Sequence, residues 1–94
     1  MPDDQADDEV PELPEELDLH TFLPSECADV VEEYVRAAHE AGRPSVRIIH
    51  GKGTGTLRRA LHEFLRHHPH AASFRLGGDG EGGSGATIVT LAER

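Results

Sequence analysis

Ile48 to Arg59 reads I-I-H-G-K-G-T-G-T-L-R-R. A short apolar run ends in His50, three glycines alternate with Lys52 and Thr54, and an amphipathic segment carrying Arg58 and Arg59 follows at once. Glycines at that spacing let backbone N–H groups converge into a concave donor surface. The helix that follows points its own unpaired N–H groups the same way. The order is strand, loop, helix, and its natural guest is an anion.

Upstream, Leu17-Asp18-Leu19-His20 alternates apolar and polar. That predicts a short strand with Leu17 and Leu19 on one face and Asp18 and His20 on the other. Pro24 is placed to open a helix, with Ser25 and Glu26 in its first turn. Cys27, Val30, Val31, Tyr34, Val35, Ala38 and Ala41 then recur at helical spacing until Gly42. Ser45 to His50 is the second strand, and the helix between the two is long enough for a right-handed crossover, so they should be parallel, adjacent or one strand apart. His20 and His50 would then both emerge at the carboxyl end of one sheet, where open α/β sheets place ligands.

Downstream, Leu57, Ala60, Leu61, Phe64 and Leu65, with His68 as a further candidate, mark a second amphipathic helix, ended by Pro69. Ala72 to Leu76 is a third strand, Gly77 to Gly85 a flexible glycine-rich loop, and Ala86 to Leu91 the last strand. The predicted order is β-α-β-α-β-β, an α/β two-layer sandwich.

The chain has 94 residues and a net charge of -9, enough for one small domain. The charge is unevenly spread. Residues 1–16 carry eight acidic residues and three prolines with no basic residue, and read as a disordered acidic arm preceding a domain at 17–94. Within Arg47 to Arg75, six basic residues face Glu63 alone, so the centre of the domain is cationic. The single cysteine, Cys27, forms no internal disulfide and reads as a buried thiol in the helical stripe. No apolar stretch reaches the length of a membrane span or a signal-peptide core, which predicts a soluble, cytoplasmic protein with no membrane partner.

Asp18 and His20, His50 with Lys52, and Ser84 to Thr87 are expected to converge. Two histidines can exchange protons with the attacking and leaving oxygens of a phosphodiester, while Lys52 or Arg58 stabilises developing negative charge. Asp18 can orient an imidazole. His62, His67, His68 and His70 have no metal-ligand spacing and read as solvated, so no metal site is assigned. Mg2+ or Mn2+ would find ligands in Asp18 with Asp79 or Glu81 only if the glycine loop folded over the rim. Gly51 to Gly55 lacks both the Walker order and the dinucleotide-binding spacing, which leaves a backbone phosphate as its ligand.

Leu17-Asp18-Leu19-His20, His50-Gly51-Lys52-Gly53-Thr54-Gly55 with Leu57-Arg58, and Gly83-Ser84-Gly85-Ala86-Thr87 together resemble the small MutS-related (Smr) domain family, in its stand-alone bacterial form. The resemblance implies a fold like the C-terminal domain of a bacterial translation initiation factor. It also implies an endonuclease that nicks structured DNA or cleaves RNA. On this chain it makes Asp18, His20, His50 and Lys52 catalytic candidates. Gly51, Lys52, Gly53, Thr54 and Gly55, with Arg58 and Arg59, become nucleic-acid-binding candidates, and Gly85 and Thr87 shape the opposite wall. Thr21 stands where the family usually has glycine, and a β-branched residue there predicts a wider turn. The resemblance implies DNA or RNA as partner and leaves room for a protein that supplies targeting.

Histidine-assisted phosphodiester cleavage is the favoured reading. The alternatives are a non-catalytic nucleic-acid-binding module, which needs only the cationic loop and helix, and a small-molecule phosphate-binding or protein-interaction domain. The scarcity of aromatic residues argues against a base-stacking platform.

Overall fold

Two apolar stripes at helical spacing and four short runs of β-formers leave few ways to bury one core. In the computed structural model, which describes residues 13–53 and 55–93, they form one sheet with both helices on one face. The elements are β1 (Glu16–Asp18), a 3-10 turn at Leu19–Thr21, α1 (Pro24–Glu40), β2 (Ser45–Ile49), α2 (Thr56–Arg66), β3 (Ala71–Leu76), a second 3-10 turn at Gly83–Gly85, and β4 (Ala86–Leu91).

Among the described residues the strand order is β1-β2-β4-β3. β1 and β2 are parallel neighbours, as the crossover predicts, with Leu17 opposite Ile48. β4 runs antiparallel to both β2 and β3. The β1–α1–β2 and β2–α2–β3 crossovers step across the sheet in the same direction, so one hand puts both helices on the same side. Register sets the core: Val46 pairs with Val89 and Ile48 with Thr87. These face Val31, Val35 and Ala38 of α1 and Leu61 and Leu65 of α2 in one buried cluster. Each fully buried aliphatic side chain there contributes about 1.5–3 kcal/mol.

α1 starts on Pro24, with the Glu26 carboxylate accepting the Leu23 N–H at 3.0 Å. It ends where Gly42 takes φ +77° and the Arg43 N–H bonds back to the Ala38 carbonyl at 3.0 Å. Cys27 is buried, as its place in the stripe predicts, and burial pushes its thiol pKa up. No helix among the described residues is long and apolar enough to cross a membrane.

The first strand is shorter than its alternation predicts. It stops at Asp18, and the chain winds into a 3-10 turn that sends Leu19 into the core at 2% exposure. The turn is tight rather than wide. Phe22 N–H bonds to Leu19 O at 3.2 Å and the Thr21 hydroxyl donates to Asp18 O at 3.1 Å, in a conformation that a β-branched residue adopts without positive φ.

Residues just before 17 are tied to the domain. Tyr34 donates its hydroxyl to Pro14 O at 2.7 Å, Arg43 bonds Leu13 O, and Leu13 packs against the core. Burial pushes the Tyr34 pKa up to about 12, which keeps it a donor. Residues 1–12 of the predicted arm lie outside the described residues.

Candidate active site

β1 and β2 deliver His20 and His50 to the same end of the sheet, but into different surroundings. His50 follows Ile49 and is 5% exposed. Its Nδ1 lies 3.0 Å from Gly51 O and its Nε2 2.8 Å from Thr87 Oγ1. The same Thr87 oxygen lies 2.8 Å from Nε2 of His62 on α2. A carbonyl only accepts, so His50 Nδ1 carries the proton. The neutral ring then accepts the Thr87 hydroxyl proton at Nε2, and Thr87 Oγ1 accepts from His62 Nε2–H. The direction of the whole chain, from α2 through β4 to the glycine loop, is thereby set.

Of the two histidines expected to serve the attacking and leaving oxygens, His50 has protein partners at both ring nitrogens. These contacts tie the loop to β4. Thr87 is fully buried and Gly85 is buried too. Gly85 O receives the His50 and Gly51 N–H groups at 2.9 and 2.8 Å. Neither residue forms an open wall; both lie beneath the loop and fix it to β4.

His20 is the open histidine, with a side chain 60% exposed. Asp18 Oδ1 accepts the His20 backbone N–H at 2.9 Å and sits 3.2 Å from His20 Nδ1. This contact favours the tautomer protonated at Nδ1 and leaves Nε2 as an acceptor. Gly51 has φ +86°, and a Cβ added there would fall 2.5 Å from that Nε2. The imidazole therefore rests edge-on against the glycine loop.

The cations sort themselves around this point. Arg47 pairs with Glu16, Arg66 with Glu63 and Arg75 with Glu81, so half of the predicted basic surface is neutralised locally. Lys52, Arg58 and Arg59 have no carboxylate partner among the described residues. A Cβ at Gly55 would meet Arg58 Nη2 at 3.0 Å and Arg59 Nη1 at 3.5 Å, so both guanidinium groups fold over the loop where α2 begins. The Lys52 stem crosses Gly85, with Nζ near Gly83. A cavity of about 530 Å³ opens between His20, His50, Gly51, Gly53, Gly55 and Arg58, with an apolar portion beyond them. Thr54 lies outside the described residues.

The oxygen ligands considered for a divalent cation are not gathered. The Glu81 carboxylate is held by Arg75 and the Gly78 N–H, while Asp18 caps the first turn. No three His, Cys, Asp or Glu side chains form a metal-holding group among the described residues.

His62 is the member of the site that spacing did not mark. It follows the buried Leu61 and precedes the buried Leu65 by three residues, which puts it on the sheet-facing flank of α2. Its solvated reading is therefore overturned. His68 is buried against Glu32 at 2.7 Å, which suits its place as a further candidate for the α2 stripe and not its solvated reading.

Burial is the main cause that pushes the His50, His62 and His70 pKa values down. Arg58 and His20 add to it at His50, His50 and Arg58 at His62, and the stacked His39 ring at His70. The fold thus favours the neutral rings. Stability is complete above the unfolded histidine pKa of about 6.5 and is lost as pH falls through the lower folded values, because the unfolded chain then binds more protons. Melting temperature should fall between pH 7.5 and pH 5.5, before the depressed carboxylates Glu32, Glu63 and Glu81 titrate. A flat or rising profile over that interval would contradict the neutral hydrogen-bond chain.

A four-stranded sheet covered on one face, with a glycine loop and cations that lack a carboxylate partner among the described residues at a helix start, makes an α/β domain with a cationic rim. Residues 17–92 match the Smr domain, and the chain belongs to that family. It is 53% identical over 76 residues to the "Endonuclease MutS2" of Ruminiclostridium cellulolyticum, covering 81% of this chain and 10% of that protein. It is 49% identical over 82 residues to that of Symbiobacterium thermophilum, with 87% and 10% covered. The chain thus spans about a tenth of the length of these curated relatives. The crystal structure of the Smr domain of Thermus thermophilus MutS2 superposes with a TM-score of 0.78 at 38% identity, covering 84% of this chain and 99% of that one. YdaL, a stand-alone small MutS-related protein from Escherichia coli, superposes at 0.79 with 27% identity, covering 88% and 67%.

Proposed function

We propose that this domain is a nucleic-acid endonuclease in which His20 performs the proton transfer. The observation that carries the reading is the open His20 ring set against a glycine loop beside Lys52, Arg58 and Arg59, which have no carboxylate partner among the described residues. Lys52, Arg58 and Arg59 would neutralise the phosphodiester and hold it over the loop, and the start of α2 adds its backbone donors. His20 Nε2 would accept the proton of the attacking oxygen, from water or a ribose 2′-hydroxyl, as that oxygen bonds to phosphorus and the P–O bond to the leaving oxygen breaks. The leaving oxygen takes a proton from the resulting imidazolium or from water, while Asp18 keeps the ring oriented through Nδ1. Lys52 and Arg58 stabilise charge on the phosphoryl oxygens as it develops. His50, Thr87 and His62 are positioning residues that fix the loop.

The relatives named as endonucleases support the class of reaction. A second reading, nucleic-acid binding without cleavage, is favoured by one feature: of the two histidines at the rim, His50 has both nitrogens engaged and His20 alone has a free one among the described residues.

The test is a nicking assay on supercoiled plasmid, branched DNA and structured RNA, with Mg2+ or Mn2+ and with EDTA. His20→Ala should lower the cleavage rate by roughly 10²–10⁴ while leaving a salt-dependent affinity. Cleavage by His20→Ala at the wild-type rate would remove His20 from the chemistry. Salt-dependent binding with no cleavage by the wild type on any substrate would install the binding module instead.

A further inference from the structure

A site that met only phosphate would be lined by donors throughout. The cavity beside His20 is not. Its far half is formed by Leu19, Phe22, Pro24, Cys27, Leu57 and Ala60, where the 3-10 turn, the start of α1 and the first turns of α2 meet. Phe22 packs one side against the core and lines this cavity with the remainder. A narrower apolar groove of about 120 Å³ continues between the helices towards Val31 and Phe64. Leu23, 63% exposed, sits in the chain between two lining residues, Phe22 and Pro24.

We infer that this apolar half is a subsite for the base of an unpaired nucleotide, whose phosphate rests beside Gly51, Gly53, Gly55 and Arg58. The inference rests on the nucleic-acid reading above and adds the recess that receives the base. A nucleotide has two chemically different ends, a charged phosphodiester and a flat, weakly polar base. The cavity presents matching halves in one continuous space: Arg58 and the glycine loop on one side, a carbon-lined recess with one aromatic ring on the other.

A base inside a duplex is stacked and paired, so it cannot enter without leaving the helix. The preferred substrate is therefore a single strand, a loop or a branch point, and selection comes from accessibility rather than from base-edge hydrogen bonds. The scarcity of aromatic residues in the sequence does not oppose this. One ring is enough when the fold delivers it to the phosphate site.

The probe is a fluorescent single-stranded DNA, compared by anisotropy with the same strand carrying abasic sites throughout and with the blunt duplex. The wild-type chain should bind the base-bearing strand on the order of tenfold more tightly than the abasic strand at fixed salt. Phe22→Ala should shrink that ratio. Ala60→Leu, which narrows the recess from an exposed helix position without adding a ring, should shrink it as well; circular dichroism checks that both variants are folded.

Equal wild-type affinity for base-bearing and abasic strands, with steep salt dependence retained, would overturn the base subsite and leave the endonuclease reading standing. A ratio unchanged in both folded variants would overturn it as well. Failure to bind any of the strands would overturn both.

Discussion

Gly51→Ala is expected to cut nucleic acid at on the order of one hundredth of the wild-type rate or less, while remaining folded. Two features combine at this position. The backbone sits at φ +86°, and an added Cβ would lie 2.5 Å from His20 Nε2. Left-handed geometry costs a non-glycine residue about 1–2 kcal/mol, which a folded domain tolerates. The clash is with the end of a side chain that is 60% exposed, so the ring swings away and the fold survives. Catalysis does not, because the displaced group is the one proposed to take the proton. The double variant with His20→Ala should therefore cut no more slowly than His20→Ala alone. Wild-type cleavage by Gly51→Ala, or additive losses in the double variant, would show that the contact has no part in the reaction.

Thr87→Val should have the largest effect on stability. The change keeps the shape and removes the hydroxyl that joins His50 to His62, each at 2.8 Å. His50 Nε2 is then left buried without a donor, at about 1–3 kcal/mol, and His62 loses its acceptor at a partly buried position. Thr87→Ser retains the oxygen and gives up only a methyl group, so it should recover most of the difference. Urea denaturation of the three proteins separates the hydroxyl from the volume. A valine variant as stable as wild type would mean that the chain of hydrogen bonds does not hold the loop.

The parts of this architecture legible in the sequence are those set by local chemistry. Pro24 and Gly42 bracket α1, and the alternating glycines announce the loop before α2. The parallel pairing of β1 with β2 follows from the length of the helix between them. Three other features depend on contacts between distant residues. Alternation through Leu17 to His20 suits a strand and equally a strand that ends in a 3-10 turn; what decides it is the pull of the core on Leu19. Basic residues look alike in a sequence, yet among the described residues Arg47, Arg66 and Arg75 find carboxylates while Lys52, Arg58 and Arg59 do not. The division between an open and a sealed histidine was the least legible. Thr87 stands 37 positions from His50 and 25 from His62, and no periodicity links the three.

The position of β4 between β2 and β3 has a consequence for how the molecule comes into being. During synthesis β1, both helices and β3 leave the ribosome before the strand that joins the two halves of the sheet. Until that strand docks, β2 and β3 have no shared partner, His50 and His62 have no common hydroxyl, and the loop has no Gly85 carbonyl beneath it. A nascent chain is therefore expected to acquire its fold and its reactive centre in one late event, and a product truncated before Ala86 should be inert.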